Sequence, residues 1–203
     1  MIDVEVPVIL ASKSPRRRRL LRKIVPEFGV VDPRIDETQH LAETPREIAR
    51  ELACAKARKV ARERPDCCVI AADTLVECAG EILGKPTDRA DAIRMLNKLC
   101  STPHRIMTGL CVVMPDGHEH ATCVSVRVVM RDLHPGEIED YVDGHDVMGR
   151  AGAYGLRELD PNVEQIDGSR SAVMGLPLEK LGCILRSCTV KEDCDQRPAY
   201  NTN

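Results

Sequence analysis

The sequence CCVIAADTLV, residues 67–76, decides the fold class. This apolar run has the length of a buried strand, and the turn residues AGE at 79–81 indicate that the strand continues into a hairpin. Asp73 interrupts the run directly after VIAA, and a carboxylate in a buried strand is costly unless it is paired, binds a metal or faces a cleft. Because ligands of open α/β sheets bind beyond the carboxyl ends of strands, we expect Asp73 and Thr74 to face a cleft.

Other segments predict the rest of a sheet. The apolar run PVILA at 7–11 is typical of a short buried strand, and residues 29–37 have an extended pattern. HRIMTGLCVVM at 104–114 and ATCVSVRVVM at 121–130 flank the turn sequence PDG, which predicts a long antiparallel hairpin. A second, smaller hairpin is predicted in NVEQIDGSRSAVM, at 162–174.

Helices are predicted between these strands. Thr44 and Glu47 form a capping box with Pro45 at the first helical position, which predicts a helix from Thr44 to about Arg64. Ser14 and Pro15 predict another helix start. Further helices are predicted from Thr87 to about Leu99, from Gly136 to Val142, and from Pro177 onward.

Length and composition bound the class of protein. The 203 residues suffice for one sizeable domain, which we place at 1–186, followed by a polar tail at 187–203 that is predicted to be disordered. Aromatic residues make up 2% and the net charge is -3, so neither base stacking nor general nucleic-acid binding is expected. The sequence shows no apolar leader and no long apolar span, which predicts a cytoplasmic protein that does not bind membranes.

The ten cysteines are scattered along the chain and contain no C-x-x-C pair. Several lie in apolar runs, where a free cysteine behaves as a small hydrophobe, so we interpret them as mostly reduced thiols. A cysteine-based metal or redox protein would need close contacts between cysteines, which their spacing does not predict. The sequence HEH at 118–120 could bind a metal, but it lies at a predicted hairpin tip, where a solvated turn is the simpler interpretation.

The sequence LASKSPRRRRLLRKI, residues 10–24, places arginines where a helix begins. Cations are unfavourable there because the amino end of a helix already carries partial positive charge. A phosphate held by Ser12, Arg16 and Arg17 would remove the conflict, since guanidinium groups bind phosphate oxygens in a bidentate manner. The alternative is a solvated basic face, which remains the interpretation for the other cations of the run, Arg18, Arg19, Arg22 and Lys23.

Lys56 lies in the middle of the apolar arc of its predicted helix. Such a lysine either extends its amine to solvent or reaches a buried phosphate. Glu37 and Lys85 lie in neighbouring loop segments. Together with Asp73 they make a set of carboxylates and cations that suits phosphate chemistry, in which carboxylates hold Mg²⁺ or activate water and cations stabilise phosphoryl oxygens.

With these residues assembled, the chain resembles the Maf family of nucleoside triphosphate pyrophosphatases, once described as septum-formation proteins. The resemblance covers residues 8 to about 185 and is carried by eight ordered motifs: LASKSPRR (10–17), IDET (35–38), LACAKA (52–57), AADTLV (71–76), GKP (84–86), TGL (108–110), AGAYG (151–155) and GLPL (175–178).

The resemblance implies an α/β fold with a mixed twisted sheet, flanking helices and two lobes around a deep cleft, like that of the inosine triphosphate pyrophosphatases. It also implies a homodimer that hydrolyses a nucleoside triphosphate to the monophosphate and pyrophosphate with Mg²⁺ or Mn²⁺. The position of Asp73 is that of the general base, and Glu37 is implied to help hold the metal. The remaining positions around the phosphates correspond to Ser12, Arg16, Arg17, Lys56 and Lys85.

The branch of the family that acts on dTTP and UTP is similar at Arg16 and Thr74, two positions linked to substrate choice. A third such position is usually Gln in the motif AYGIQG, whereas this chain has AYGLRE, with Arg157 and Glu158. Two further departures are Gly149, where the family commonly has Asp, and Ala172, where an Asn is common. These changes leave a nucleotide-binding regulatory protein without turnover as the alternative to an enzyme, with Arg157 as a candidate substrate contact in either case.

Overall fold

The computed structural model describes residues 1–37, 42–100, 102–155 and 162–189. One mixed sheet runs in the order β2-β1-β3-β5-β6-β7, and β4 pairs with β3 beside this path. β1 is parallel to both of its neighbours, while the other pairings are antiparallel. The strands are β1 (Val8–Ala11), β2 (Gly29–Val31), β3 (Cys68–Cys78), β4 (Glu81–Leu83), β5 (His104–Val113), β6 (Glu119–Met130) and β7 (Val163–Asp167).

Six α-helices are described: α1 begins at the predicted Pro15, and α2 and α3 begin and end within about two residues of the predicted positions. Ser14 caps α1 by accepting a hydrogen bond from the Arg17 amide, and Thr44 caps α2 in the same way through the Glu47 amide. A short 3₁₀ turn, Ala151–Ala153, precedes β7. The helices are α1 (Pro15–Leu21), α2 (Pro45–Glu63), α3 (Arg89–Cys100), α4 (Pro135–Gly144), α5 (Arg170–Val173) and α6 (Leu178–Thr189).

A gap in the sheet lies along one edge of β3. β5 pairs with β3 from Val69 to Glu77, so the other edge of β3 is left for both β1 and β4. β1 pairs with Cys68–Ile70, and β4 pairs with Val76–Cys78. Between these two pairings, Asp73 and Thr74 have no strand beside them on that edge in the described part of the chain. β3 is therefore unpaired along one edge near its middle, at the two residues that the sequence predicts to face a cleft.

Separate hydrophobic clusters lie on the two sides of this gap. In the first lobe, α2 packs on one face of the sheet, while α1 and α6 pack on the other. In the second lobe, α3 and α4 cover the far halves of β3, β5 and β6 together with the loop that contains Tyr154. The predicted fold class, an α/β sheet with flanking helices and two lobes around a cleft, is confirmed.

One glycine allows α2 to lie against the sheet. Gly109 pairs with Asp73 across β3 and β5, and a Cβ built on Gly109 would lie 2.1 Å from the Ala49 carbonyl oxygen of α2. No side chain larger than hydrogen fits at this position without moving the helix. The close approach brings the middle of α2, and with it Lys56, down to the strand that carries Asp73.

The second predicted hairpin is wrong in its latter half. Residues 163–167 form the single strand β7, which pairs with β6, but Arg170–Val173 form the helical turn α5. Ser169 accepts a hydrogen bond from the Ala172 amide, and this cap favours a helical turn over a second strand. α6 then runs to Thr189, three residues into the segment predicted as a tail, and the remainder of that segment lies outside the described residues. Within the described ranges no helix is both long and apolar enough to span a bilayer.

Candidate active site

Lys56 joins two carboxylates at the gap in the sheet. Its Nζ lies 2.5 Å from Oδ1 of Asp73 and 2.7 Å from Oε1 of Glu37. The side chains of Lys56 and Asp73 are only 8% and 10% exposed, whereas that of Glu37 is 51% exposed. Of the two alternatives for Lys56, the amine does not extend to solvent: it lies inside the protein and contacts Asp73, the carboxylate that interrupts the apolar strand.

Burial and charge oppose each other at Glu37. Burial alone would raise the pKa of this carboxyl, but the hydrogen bond and the charge of Lys56, together with Lys85 and Arg17, lower it below its usual value. Glu37 is therefore ionised at neutral pH and presents its charge at the open side of the site. Lys85, which is exposed in the loop after β4, is placed close enough to contribute to this field.

Arg17 enters the same site from α1. Its Nε donates to the Gly175 carbonyl at 2.8 Å, Nη2 donates to Oγ1 of Thr74 at 3.2 Å, and Nη1 donates to Oγ of Ser12 at 3.4 Å. Burial lowers the pKa of Arg17, and the charges of Asp73 and Glu37 act in the opposite direction. These contacts hold the guanidinium beside the carboxylates. We define the charged site as Arg17, Glu37, Lys56 and Asp73.

Arg16 lies at the mouth of the site and faces another cation. Burial lowers its pKa first, and repulsion by Arg150 and Arg17 lowers it further, while Asp146 partly offsets them. The guanidinium of Arg150 lies against Gly155, where a Cβ would be 2.8 Å from Nη1, so a side chain at 155 would displace it. Arginines crowded in this way are stabilised by an anion bound between them.

A chain of hydroxyl groups positions Thr74. Its Oγ1 lies 3.0 Å from Oγ1 of Thr108, which in turn donates to the Ala172 carbonyl at 2.8 Å. Thr108 is fully buried, so this chain is shielded from water. Ala172, one of the four departures from the family pattern, contributes a backbone oxygen here and would do so with any side chain.

Sequence reasoning missed two of these residues, Thr108 and Arg150. Each had a weak signal. Thr108 is a polar residue inside a strand that is otherwise buried from Ile106 to Val113, and Arg150 is a cation directly before the glycine-containing loop AGAYG. Neither signal identifies a partner, because Thr74 and Arg16 are distant along the chain.

Most predicted site residues are brought together by the fold. The charged site, Thr74 and Ser12 are in direct contact or share a partner, while Arg16 and Lys85 border them at the open side. Arg157 and Glu158 lie outside the described residues. Gly149 is exposed, with open space where a side chain would be.

The donor set fits a hard divalent cation. Glu37 and Asp73 offer carboxylate oxygens to the same point, where Lys56 now contacts one oxygen of each. Mg²⁺ and Mn²⁺ prefer such oxygen ligands and are often held by one or two carboxylates together with substrate phosphates. A different group, made by Cys54, Cys111 and Glu119, contains thiols that do not suit Mg²⁺.

Comparisons with known proteins place this geometry in a family. Residues 7–188 match the model of the family described as Maf-like protein. A dTTP/UTP pyrophosphatase of Cupriavidus pinatubonensis is 39% identical over 90% of this chain and 96% of its own length. A dTTP/UTP pyrophosphatase of Aquifex aeolicus is 43% identical over 88% of this chain and 94% of its own length.

One solved structure, a nucleoside-triphosphatase or dITP/XTP pyrophosphatase of Mycobacterium abscessus, is similar at 15% identity with a TM-score of 0.42. The match covers 89% of this chain and 93% of that one. Such a likeness adds nothing to the fold already described. The family match over 182 residues and the relatives at about 40% identity are decisive: the chain belongs to the Maf-like protein family.

Proposed function

We propose that this protein hydrolyses a nucleoside triphosphate to the nucleoside monophosphate and pyrophosphate, with dTTP and UTP as the first substrates to test. Two curated relatives with this named activity match nearly the whole chain. The observation that carries the proposal is the charged site, in which a buried lysine contacts two carboxylates at a gap in the sheet and a partly buried arginine lies close enough to interact with their charges.

Asp73 is the general base. Its carboxylate lies at the gap, where it accepts a proton from a water molecule as that water attacks the α-phosphorus. An oxygen–phosphorus bond forms, the bond from the α-phosphorus to the bridging oxygen breaks, and pyrophosphate leaves. Lys56 donates a hydrogen bond to Oδ1 of Asp73 and so orients the carboxylate for the proton transfer.

The cations around the gap bind the phosphates. Arg17 is oriented by Ser12 and Thr74, and Arg16 brings a second guanidinium to the open side, where Arg150 adds a third. Lys85 completes this set from the loop after β4. Their combined charge offsets that of a triphosphate and stabilises the charge that develops on its oxygens during transfer.

Glu37 and Asp73 would hold Mg²⁺ or Mn²⁺, which supplies neutralisation of phosphate oxygens when bound. Base recognition is proposed for Thr74 and Arg157. A guanidinium at position 157 offers only hydrogen-bond donors, whereas the amide common in the family offers a donor and an acceptor. We therefore expect the preference among pyrimidine nucleotides to differ from that of enzymes that carry Gln at this position.

We also propose that the enzyme is a cytoplasmic homodimer that does not bind nucleic acid. The family resemblance supports the dimer, and the net charge of -3 argues against a nucleic-acid partner. Nine cysteines are free thiols in the described part of the chain, which favours a reducing compartment.

Release of pyrophosphate from a panel of canonical and methylated nucleotides, with Mg²⁺ or Mn²⁺, tests the proposal. Asp73→Asn is expected to lose about 10³-fold in kcat while it still binds nucleotide, because the amide cannot accept the proton. Asp116→Asn, at the exposed hairpin tip, is the matched control and should keep full activity. Nucleotide binding without pyrophosphate from any substrate would favour the regulatory alternative, and neither binding nor release would refute both.

A further inference from the structure

A second cluster of reactive side chains lies where α2, the helix of Lys56, packs on β5 and β6. Cys54 of α2, Cys111 of β5 and Glu119 at the start of β6 each present one ligand atom, and these atoms all lie within 4.8 Å of one another. We call this group the thiol cluster. It shares no residue with the charged site.

Strand pairing explains why these three residues meet. Cys111 pairs with Ala121, and Glu119 pairs with Val113, so Glu119 lies diagonally beside Cys111 on the face of the sheet that α2 covers. Cys54 and Cys111 are 6% and 0% exposed, whereas the side chain of Glu119 is 26% exposed. The cluster therefore has two dry sulfur ligands and one oxygen ligand at the protein surface.

Arg58 balances the charge that such a cluster would carry. A divalent metal bound to two thiolates and one carboxylate leaves one negative charge. Arg58 donates from Nε to Glu119 Oε2 at 2.6 Å and from Nη2 to Oε1 at 2.8 Å, and its side chain is 56% exposed. Glu119 has lone pairs enough to keep one hydrogen bond to Arg58 while one oxygen binds a metal, and a partner of this kind orients the ligand.

We propose that Cys54, Cys111 and Glu119 form a binding site for a thiophilic divalent cation of the Zn²⁺ class, with solvent as the fourth ligand. Two thiolates and a carboxylate are ligands that Zn²⁺ takes in tetrahedral sites. They do not suit Mg²⁺, so the site is separate from the hard-cation site of the hydrolytic reaction. Bound metal would join α2 to β5 and β6 and would stabilise the fold.

Titration of the reduced, full-length protein with Co²⁺ tests this site, because thiolate ligands give Co²⁺ a charge-transfer band in the near ultraviolet. We expect one equivalent to bind, the band to disappear when Zn²⁺ is added, and thermal unfolding to shift to higher temperature with Zn²⁺. Cys54→Ser and Cys111→Ser should each weaken binding by at least about 100-fold, and Glu119→Gln by about tenfold.

Cys123→Ser is the matched control. Cys123 is also a buried cysteine of β6, at 5% exposure, and lies outside the thiol cluster. It should bind Co²⁺ as the unmodified protein does. The proposal is overturned if no charge-transfer band appears, if Cys54→Ser binds Co²⁺ with unchanged affinity, or if Cys123→Ser weakens binding as much as Cys54→Ser does. Loss of two thiols to a Cys54–Cys111 disulfide, with no metal taken up, would also overturn it.

Discussion

The charged site and the thiol cluster each take one residue from α2, Lys56 and Cys54, and differ in almost everything else. Lys56 reaches past the end of β1 to Asp73, at a gap where nothing pairs with that edge of β3 in the described part of the chain. Cys54, two residues earlier, faces β5 and β6, which are continuously paired there. At 100° per residue the two side chains leave α2 in nearly opposite directions.

This difference shows that the pairing of the strands beneath α2 determines which side chains the helix can place there, charged groups or thiols. Where the sheet is interrupted, water and a phosphate chain can enter, so charges are stable and oxygen ligands face a cleft. Where the sheet is continuous, the space between helix and strands holds only side chains, and small sulfur atoms fill it. The following experiments perturb the two sites separately or together.

The largest effect is expected from Lys56→Met. Asp73 would remain buried without its partner, which should reduce kcat by about 10³-fold and lower the free energy of unfolding by about 3 kcal/mol. Denaturant unfolding and pyrophosphate release measure the two effects. Lys56→Met combined with Asp73→Leu should recover stability but not activity, since no unpaired charge is then buried. Co²⁺ binding at the thiol cluster should persist in both variants, and its loss would show that the two sites are not independent.

Gly109→Ala should damage both sites at once. The added methyl group would meet the Ala49 carbonyl at 2.1 Å and force α2 away from the sheet, at a cost of about 3 kcal/mol in the free energy of unfolding. Pyrophosphatase activity and Co²⁺ affinity should fall together. Gly136→Ala is the control, because nothing lies within 4 Å of a Cβ built there, and its stability should be unchanged or slightly higher.

Substitutions at Arg17 and Arg18 distinguish an arginine held in the charged site from an exposed neighbour. Arg17→Ala removes a guanidinium held by Ser12, Thr74 and Gly175, so kcat/KM should fall by about 30-fold, or about 2 kcal/mol. Arg18→Ala, its exposed neighbour in the same helix, should retain kcat/KM. Equal losses in the two variants would mean that the arginine run acts through its overall charge and not through one placed side chain.

His104 is a buried base of the second lobe, and no carboxylate is in direct contact with it among the described residues. Its Nε2 contacts the Tyr154 hydroxyl at 2.6 Å, and burial lowers the pKa of His104 to about 4. In the unfolded chain the imidazole of His104 takes up a proton with a pKa of about 6.5. The contribution of neutral His104 to the free energy of unfolding is therefore fully present above that pH and is lost as the pH falls toward 4. The expected loss is about 1 kcal/mol at pH 5.5.

Urea unfolding at pH 7.5 and 5.5 measures this loss. In His104→Gln the side chain cannot take up the proton, while all other titrating groups are unchanged. Between pH 7.5 and 5.5, the free energy of unfolding of the variant should therefore fall by about 1 kcal/mol less than that of the unmodified protein. An identical pH dependence in both proteins would contradict the assignment.

Local patterns were sufficient for much of the fold and the site. Pro45 and the capping pair Thr44–Glu47 predicted where α2 begins, and the apolar arc singled out Lys56 without deciding whether its amine is buried. Asp73 was found because a charge in a buried strand is rare without a reason. The second hairpin was predicted wrongly because the Ser169 cap, a single hydrogen bond, decides between a helical turn and a strand in a short segment.

The sequence by itself determined the order of the elements, the family, and the identity of Asp73, Lys56 and Arg17 as charged residues at positions where a charge is unfavourable without a partner. Hydrophobic period, capping residues and isolated buried charges are local signals, and all of them are visible along the chain. Only the tertiary structure decided which side chain contacts each of these charged residues. Thr74 meets Thr108, and Cys54 meets Cys111, although the members of each pair lie 34 or more positions apart along the chain. Strand register determines such contacts, and it also determines where β3 is left unpaired between β1 and β4.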